Sequence, residues 1–372
     1  MTAKLALVTP RYRPVIGGVE THVECLARHA VARGYQVEVL TQADDREQPA
    51  VEVLDGTVVR RFRVAYPSAH YAFSPSLWRY LRKRGDTYDL VHAHNYHSLP
   101  ALAAALTLNA RTPFVFTPHY HGTSASAVRR ALHRPYRLAG ARILRRAAAV
   151  ICVSAREASL LARDFPFVKE RVHVVPNGVD IQSLQSAVPF EESHTVVLSI
   201  GRLEEYKQVD RIVAAMAHLE ERFVLRVGGD GPARAQIERQ IGDLGLSDRV
   251  RLLGRVDDVE LLRWFRTASV YVTASRLEAM PITPLEVMAA GGRVVASDID
   301  AHREIAKVTN GPVTLLPADP DPGQIAQAIR TAADAPPRNA KLSTWDEVGD
   351  RTLGVYRLVS ESEGRSPWAA GS

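Results

Sequence analysis

The sequence predicts two successive doubly wound α/β domains, each built on a parallel sheet. Three observations carry that prediction. The chain has 372 residues, and roughly 100–200 residues make a domain. Apolar residues make up 46% and charged residues 24%, ordinary globular values that exclude disorder, collagen and coiled coil for the bulk of the chain. Finally, short β-branched runs alternate with helical patterns twice over, which is the signature of βαβ units.

In the first half, Leu5–Thr9 is an apolar run ended by Pro10. Helical spacing follows over Val19–Arg33 and stops at Gly34. Gln36–Leu40, Val58–Val64, Asp89–His92, Phe114–Thr117, Val150–Val153 and Val172–Val175 read as strands. Helical stretches at 98–108, 126–147 and 155–163 separate the later ones. Residues 181–194 are mixed and polar and read as a linker. Alternation then restarts with strands at Val196–Ile200, Phe223–Val227, Val250–Leu253, Val270–Thr273 and Val294–Ala296. The helices between them are expected at 208–220, 233–244, 258–267 and 284–291. A long last helix spans 344–361, with Trp345, Val348, Leu353, Tyr356 and Val359 at rough helical spacing. The expected domains are therefore 1–180 and 181–343.

Two cysteines, Cys25 and Cys152, cannot build a disulfide framework. The N-terminal apolar run is too short for a signal-peptide core. No stretch reaches the length of a membrane-spanning helix, about 18 apolar residues. A cytoplasmic protein is expected. Charge is uneven: residues 1–185 hold 25 Lys+Arg against 14 Asp+Glu, and the remainder 22 against 27. The basic half is expected to meet something anionic. No stacking aromatics are interleaved with that charge, so nucleic acid is not an expected partner.

Ligands of doubly wound folds bind beyond the carboxyl ends of the strands, so the loops there are the candidate sites. Two such sheets facing each other would form one deep cleft. Gly17 and Gly18 close the loop after the first strand without making a dinucleotide fingerprint. Arg202 and Lys207 follow the first strand of the second half and suit a diphosphate, although a solvated basic turn would read the same. Gly229 lies in a Gly-Gly-Asp-Gly-Pro loop that could approach a nucleotide or simply turn tightly. Glu278 and Glu286 stand eight apart. Thr283, Pro284 and Glu286 spell a capping box, which gives Glu286 a structural alternative and Glu278 none. His92, His94, His97, His119 and His121 cluster in two loops at strand ends, where a general-base or oxygen-binding role suits them better than metal. Asp298-Ile-Asp300 and Asp319-Pro-Asp321 match the DxD pattern, which is common by chance.

Taken together and in order, these loops resemble family-four retaining glycosyltransferases of the GT-B fold. The likeness rests on GGVETHV (17–23), VHAH (91–94), TPHYHG (117–122), ICVS (151–154), VVPNGVD (174–180), SIGRLEEYKQVDRIV (199–213), VGGDGP (227–232), LLGRVDD (252–258) and the E-x7-E of 278–286. It implies two Rossmann-like domains facing across a cleft, with the last helix returning to the first. Arg202 and Lys207 would hold the donor diphosphate, Glu278 the sugar hydroxyls and Glu286 the ribose. Gly17, Gly18 and Gly229 would approach the phosphates and the nucleotide. Arg255, Val256, Asp257 and Asp258 would line the base pocket, and Met280, Pro281, Ile282 and Thr283 the donor loop. A histidine of the 117–122 loop would face the reacting centre, His119 by its T-x-H spacing or else His121, with Glu20, His94 and His121 on the acceptor side. Many members have glycine where Pro281 stands, so one backbone donor is missing here.

The implied activity is retaining, metal-independent hexosyl transfer from a nucleoside-diphosphate sugar to a lipid-linked or glycan acceptor, with no cofactor. LLGRVDD and ASDIDAHREI are similar to segments of phosphatidylinositol mannosyltransferases, which favours GDP-mannose over a UDP-hexose. A phosphorylase, an epimerase or an inactive sugar-nucleotide binder is the alternative on the same fold. Residues 129–146 hold seven arginines and no acid. With Pro135 starting the helix proper, Leu138, Ala141 and Leu144 would share one face with Ile143 beside it. Arg137, Arg142, Arg145 and Arg146 would flank that face for peripheral contact with an anionic membrane on its inner side. An ordinary helix packed on the first sheet with a solvated basic face is the alternative, and a phosphate-bearing acceptor is a third use of the same charge.

Overall fold

A computed structural model describes residues 2–15, 17–43, 45, 47–65, 72–120, 122, 127–317, 319–336 and 338–362, with side chains between 127 and 146 from Tyr136 onward. The chain divides into two compact units. Unit 1 comprises 1–177 and 345–372, and unit 2 comprises 178–344.

Unit 1 runs β1 (Lys4–Thr9), α1 (Gly18–Ala32), β2 (Gln36–Ala43), β3 (Val51–Leu54), β4 (Thr57–Arg63), α2 (Pro75–Arg84), β5 (Leu90–His94), α3 (Leu99–Thr107), β6 (Phe114–Thr117), α4 (Ala127–Arg146), β7 (Ala149–Cys152), α5 (Ala155–Asp164) and β8 (Val172–Val174). Its sheet has the order β3-β4-β2-β1-β5-β6-β7-β8. Only the edge strand β3 pairs antiparallel, on β4. Leu5, Ala6, Leu7 and Val8 of the central strand are all fully buried, as a strand covered on both faces requires. One face carries the core of α2, α3, α4 and α5. The other packs α1 and the returning helix, through Leu26, Ala30, Val348, Tyr356 and Val359.

Unit 2 runs α6 (Ile181–Ser186), β9 (Thr195–Ile200), α7 (Val209–Ala215), β10 (Phe223–Gly228), α8 (Arg234–Asp243), β11 (Val250–Gly254), α9 (Asp258–Thr267), β12 (Val270–Thr273), α10 (Thr283–Ala289), β13 (Arg293–Ser297), α11 (Asp300–Thr309), β14 (Val313–Leu316) and α12 (Pro322–Asp334). The sheet is β11-β10-β9-β12-β13-β14, parallel throughout. In chain order that is 3-2-1-4-5-6, the doubly wound order whose switch point lies between its first and fourth strands. Helix α13 (Trp345–Ser362) then rejoins unit 1.

The sequence places the boundaries at 180/181 and 343/344. The structure places them at 177/178 and 344/345, because Val179 pairs with Thr344 and its N–H donates to Ser343 O at 2.9 Å. The expected linker over 181–194 begins with helix α6, and only 187–194 are irregular. Asp180 caps α6 by accepting the Ser183 N–H at 3.0 Å, and Leu184 is buried. Helix α4 also runs through Pro135 rather than starting there. Proline costs that helix one backbone donor, and Ala141, Ile143 and Leu144 anchor its second half in the core.

Candidate active site

In each unit the switch point gathers the polar groups. Unit 1 has β1 and β5 there, and unit 2 has β9 and β12.

In unit 1, β5 delivers His92 and His94 and the loop after β6 delivers His119. His92 and His94 are fully buried and His22 of α1 nearly so. Their rings form one layer. His92 and His94 are 4.1 Å apart, His94 and His119 5.9 Å, His22 and His94 5.6 Å, and His22 and His119 5.4 Å edge-on. His92 Nδ1 lies 2.6 Å from the Tyr356 hydroxyl and Nε2 2.8 Å from Thr117 Oγ1. A neutral ring has one N–H, so one of these hydroxyls donates and the other accepts. Neither nitrogen of His94, nor Nε2 of His119, has a partner among the described residues. Burial lowers the pKa of all four, and neighbouring imidazoles push His92, His94 and His119 further down. The layer is neutral at physiological pH. Among the described residues no His, Cys, Asp and Glu groups converge to hold a metal ion.

His119 sits at φ 48°, a left-handed backbone uncommon outside glycine. Its loop is held by hydrogen bonds. Asn95 N–H donates to Thr117 O at 2.9 Å and Tyr96 N–H to Pro118 O at 2.6 Å. The buried Glu157 accepts the N–H groups of Tyr120 at 2.5 Å and Val153 at 2.7 Å. His121 lies outside the described residues.

In unit 2, the loop after β9 presents Arg202 and Lys207. Lys207 Nζ donates to Glu278 Oε1 at 2.5 Å, across the switch point from the loop after β12. The side chains are only 19% and 15% exposed, so water screens the pair little. Burial is the largest single influence and works against both charges, but the partner's charge, the hydrogen bond between them and smaller neighbouring effects together outweigh it: the Lys207 pKa is raised and that of Glu278 lowered. Arg202 is mostly exposed and bonds Glu204 at 2.9 Å and the Tyr206 hydroxyl at 3.2 Å. Gly229 sits at φ +123°, and a Cβ there would meet the Gly201 carbonyl oxygen, so only glycine fits. The Gly229 N–H donates to Gly254 O at 2.6 Å, joining the loops after β10 and β11.

Glu286 overturns its capping alternative. Thr283 is already helical, the N-cap is Ile282, and no side chain caps α10. A capping box needs its first residue outside the helix in extended backbone. The Glu286 carboxyl is instead desolvated near Asp258, and its pKa is raised to about 7, burial first and Asp258 second. Asp257 caps α9 by accepting the Glu260 N–H at 2.8 Å. Arg255 is exposed, and Val256 lies against Gly228. Met280 and Ile282 are buried, Pro281 and Thr283 half-buried.

Residues 16–183 match Glycosyltransferase Family 4, and residues 180–344 match Glycosyl transferases group 1. A phosphatidyl-myo-inositol mannosyltransferase of Mycolicibacterium smegmatis is 31% identical over 96% of this chain and 94% of its own. A D-inositol 3-phosphate glycosyltransferase of Catenulispora acidiphila is 30% identical over 93% and 91%. The chain is a family-four glycosyltransferase. Among solved structures, sucrose-phosphate synthase from Thermosynechococcus elongatus superposes with a TM-score of 0.74 at 22% identity, covering 97% of this chain and 100% of that one. The fold is thus the two-unit Rossmann-like class of the GT-B glycosyltransferases.

In this glycosyltransferase Gly17 is the N-cap of α1 in extended backbone and Gly18 opens the helix. Glu20 pairs with Arg11 at 3.6 Å. Both DxD triplets have structural partners: Asp298 and Asp300 pair with Arg303, Asp319 pairs with Arg211, and Asp321 caps α12. The apolar face assigned to a membrane is core instead, since Ala141, Ile143 and Leu144 are buried and only Leu138 is exposed. Of the four flanking arginines, Arg137 donates to Asp164 O, Arg145 stacks over Phe167, and Arg146 donates to Asn109 O and Thr112 O. Arg142 is exposed. Periodicity gave the right face but not what covers it. Among the described residues no helix is long and apolar enough to cross a membrane.

The sequence reading also missed residues. His22 and Asn177 lie inside quoted motifs without being singled out. His302 of α11 is buried, bonds Ser297 O at 2.8 Å and bears on Glu278 electrostatically.

Proposed function

We propose that this glycosyltransferase moves a hexose from a nucleoside-diphosphate sugar, GDP-mannose or a UDP-hexose, to a hydroxyl of an inositol phosphate, free or lipid-linked, with retention of configuration and without a metal. The observation that carries the reading is the Lys207–Glu278 ion pair at the switch point of unit 2, with Arg202 beside it. Breaking a sugar–diphosphate bond leaves negative charge on the departing group. A fixed ammonium and a guanidinium stabilise that charge with little reorganisation. Glu278 orients the ammonium and is placed to accept hydroxyls of the sugar. Glu286 takes the ribose, and the glycine loop at 229 lets backbone come close to the nucleotide. His119, kept neutral, serves the acceptor side as a hydrogen-bonding group. Retention follows from same-face attack, with the leaving phosphate taking the acceptor proton.

The partners of the DxD carboxylates, arginines for Asp298, Asp300 and Asp319 and the α12 cap for Asp321, support metal independence. The inositol acceptor is supported by the names of both relatives. Exposed Arg142 and the rim of Arg137 and Arg145 suit an anionic lipid surface, although their helix does not offer it an apolar face.

A thermal-shift screen with GDP-mannose, UDP-glucose and ADP-glucose tests the donor, because a ligand of the native state raises its melting temperature. Transfer to inositol 1-phosphate or to phosphatidylinositol vesicles, in excess chelator, tests the rest. No shift with any donor would overturn the reading. Loss of transfer in chelator, restored by manganese, would overturn its metal independence.

A further inference from the structure

Unit 1 is entered and left by the chain at two places, after Asn177 and before Trp345. One side chain touches both. The His22 Nδ1–H donates to Asn177 Oδ1 at 2.9 Å in a buried bond, and the Trp345 ring stands edge-on to His22 at 5.7 Å and 86°. These contacts join residues 155 positions apart in one direction and more than 300 in the other. The same imidazole lies edge-on to His119 at 5.4 Å and 85°.

No hydrogen bond among the described residues fixes the Nε2 edge of the His119 ring. His119 Nε2 is buried without a partner among the described residues, and its backbone is in the left-handed region. Its loop is anchored through backbone groups and Glu157, which place the Cα but not the imidazole plane. The His94 ring stacks on one face at 26° and itself makes no hydrogen bond among the described residues. The His119 orientation therefore rests on packing, and His22 is the neighbour that has a hydrogen bond of its own.

We infer that His22 is a positioning residue that sets the orientation of the His119 ring from the two points where the chain leaves and re-enters unit 1. A displacement of Asn177 or Trp345 moves the His22 ring, and His119, lacking a competing bond at Nε2, follows. The inference rests on the assignment of His119 to the acceptor side for its catalytic consequence, and on contacts within unit 1 for its geometry.

The test separates the two. The full chain is labelled with 15N-histidine, and the His119 imidazole signals are identified by their loss in His119→Gln. His22→Gln, which can still bond Asn177, and Trp345→Leu, which leaves the histidines in place, are then compared with the wild type. Both substitutions should shift the His119 ring signals, and Trp345→Leu serves alone if His22→Gln does not fold. Unchanged His119 signals in the folded variants would overturn the inference. With a donor that stabilises the protein, His22→Gln should lower kcat by about 10- to 100-fold, as a small misplacement of a positioned group does. The donor-induced melting shift should stay the same. In a His119→Ala background the same substitution should cost less than about threefold, because residues acting as a unit are not additive. An equal loss in both backgrounds would also overturn the inference. If His119→Ala alone leaves turnover intact, the acceptor-side assignment fails, and the ring signals still decide whether His22 positions His119.

Discussion

The two sheets share one topology around their switch points but fill them with opposite chemistry. Unit 1 gathers four imidazoles that burial holds neutral. Unit 2 gathers a lysine and a glutamate that hold each other charged. Burial alone disfavours charge in both places. What differs is the partner. An imidazole surrounded by imidazoles gains nothing by taking a proton, whereas an ammonium 2.5 Å from a carboxylate gains more than desolvation costs. The same loop positions thus hold neutral hydrogen-bonding groups in one unit and fixed charges in the other.

The largest test of this contrast is Lys207→Ala. If Lys207 stabilises the leaving group as proposed, the change should cost about 2–4 kcal/mol of barrier, or about 30- to 1000-fold in turnover. A lysine read from sequence as a loop residue would leave folding untouched. Paired with a mostly buried carboxylate, its loss should also lower the melting temperature. The double variant Lys207→Met/Glu278→Gln should regain stability without regaining activity. Wild-type turnover in Lys207→Ala would break the contrast.

The acid limb of stability tests unit 1. A histidine held neutral in the fold binds its proton only when unfolded, so stability is full above the unfolded pKa of about 6.5 and falls as pH drops below it. Each such histidine removes about 1.4 kcal/mol per pH unit in that range. Urea unfolding should show a steep loss between pH 6.5 and 5, made shallower in His94→Gln. Equal slopes for the two proteins would show that His94 is not held neutral.

Glu286 sharpens the comparison because it is a desolvated carboxyl of unit 2 with no cationic partner among the described residues. Its folded pKa of about 7 lies above the ordinary 4.5, so it protects the fold below pH 4.5 and progressively costs stability as pH rises to 7. Glu286→Gln should therefore raise stability at pH 8 by about 1–3 kcal/mol, have no such effect at pH 4, and weaken donor binding. A variant less stable than the wild type at pH 8 would put Glu286 among the ion-paired groups.

The smallest effect belongs to the exposed pair Asp298–Arg303. Asp298→Asn should leave the urea midpoint nearly unchanged, since exposed ion pairs contribute little, and keep transfer within about twofold of the wild type, measured side by side. A large loss of transfer would reopen a metal role for the triplet.

The loops of unit 2 were legible because each chemical group follows a strand with a clear β-branched run. Lys207 and Glu278 could be placed at strand ends without any tertiary knowledge. His22 was not legible. It lies within a helix recognised by Val19, Val23 and Leu26, and local spacing gives no sign that its ring meets residues of β5 and α13. Strand β3 escaped because Val51 and Val53 are exposed on an edge, which weakens the alternation. Helices α2, α11 and α12 and strand β14 were passed over. The capping box at Thr283 failed because the helix begins one residue early, a difference composition does not encode.

The hydroxyl that completes the histidine layer comes from Tyr356, 264 residues beyond its partner His92. In a chain made from its N-terminus onward, the whole of unit 2 is synthesised between those two residues. Unit 2 is contiguous and can finish folding by itself, while unit 1 waits with one face of its sheet lacking α13. Until then His92 lacks its Tyr356 hydroxyl and His22 its Trp345 ring. Such long-range closure is slow. The histidine layer is thus completed last, after unit 2 has been made.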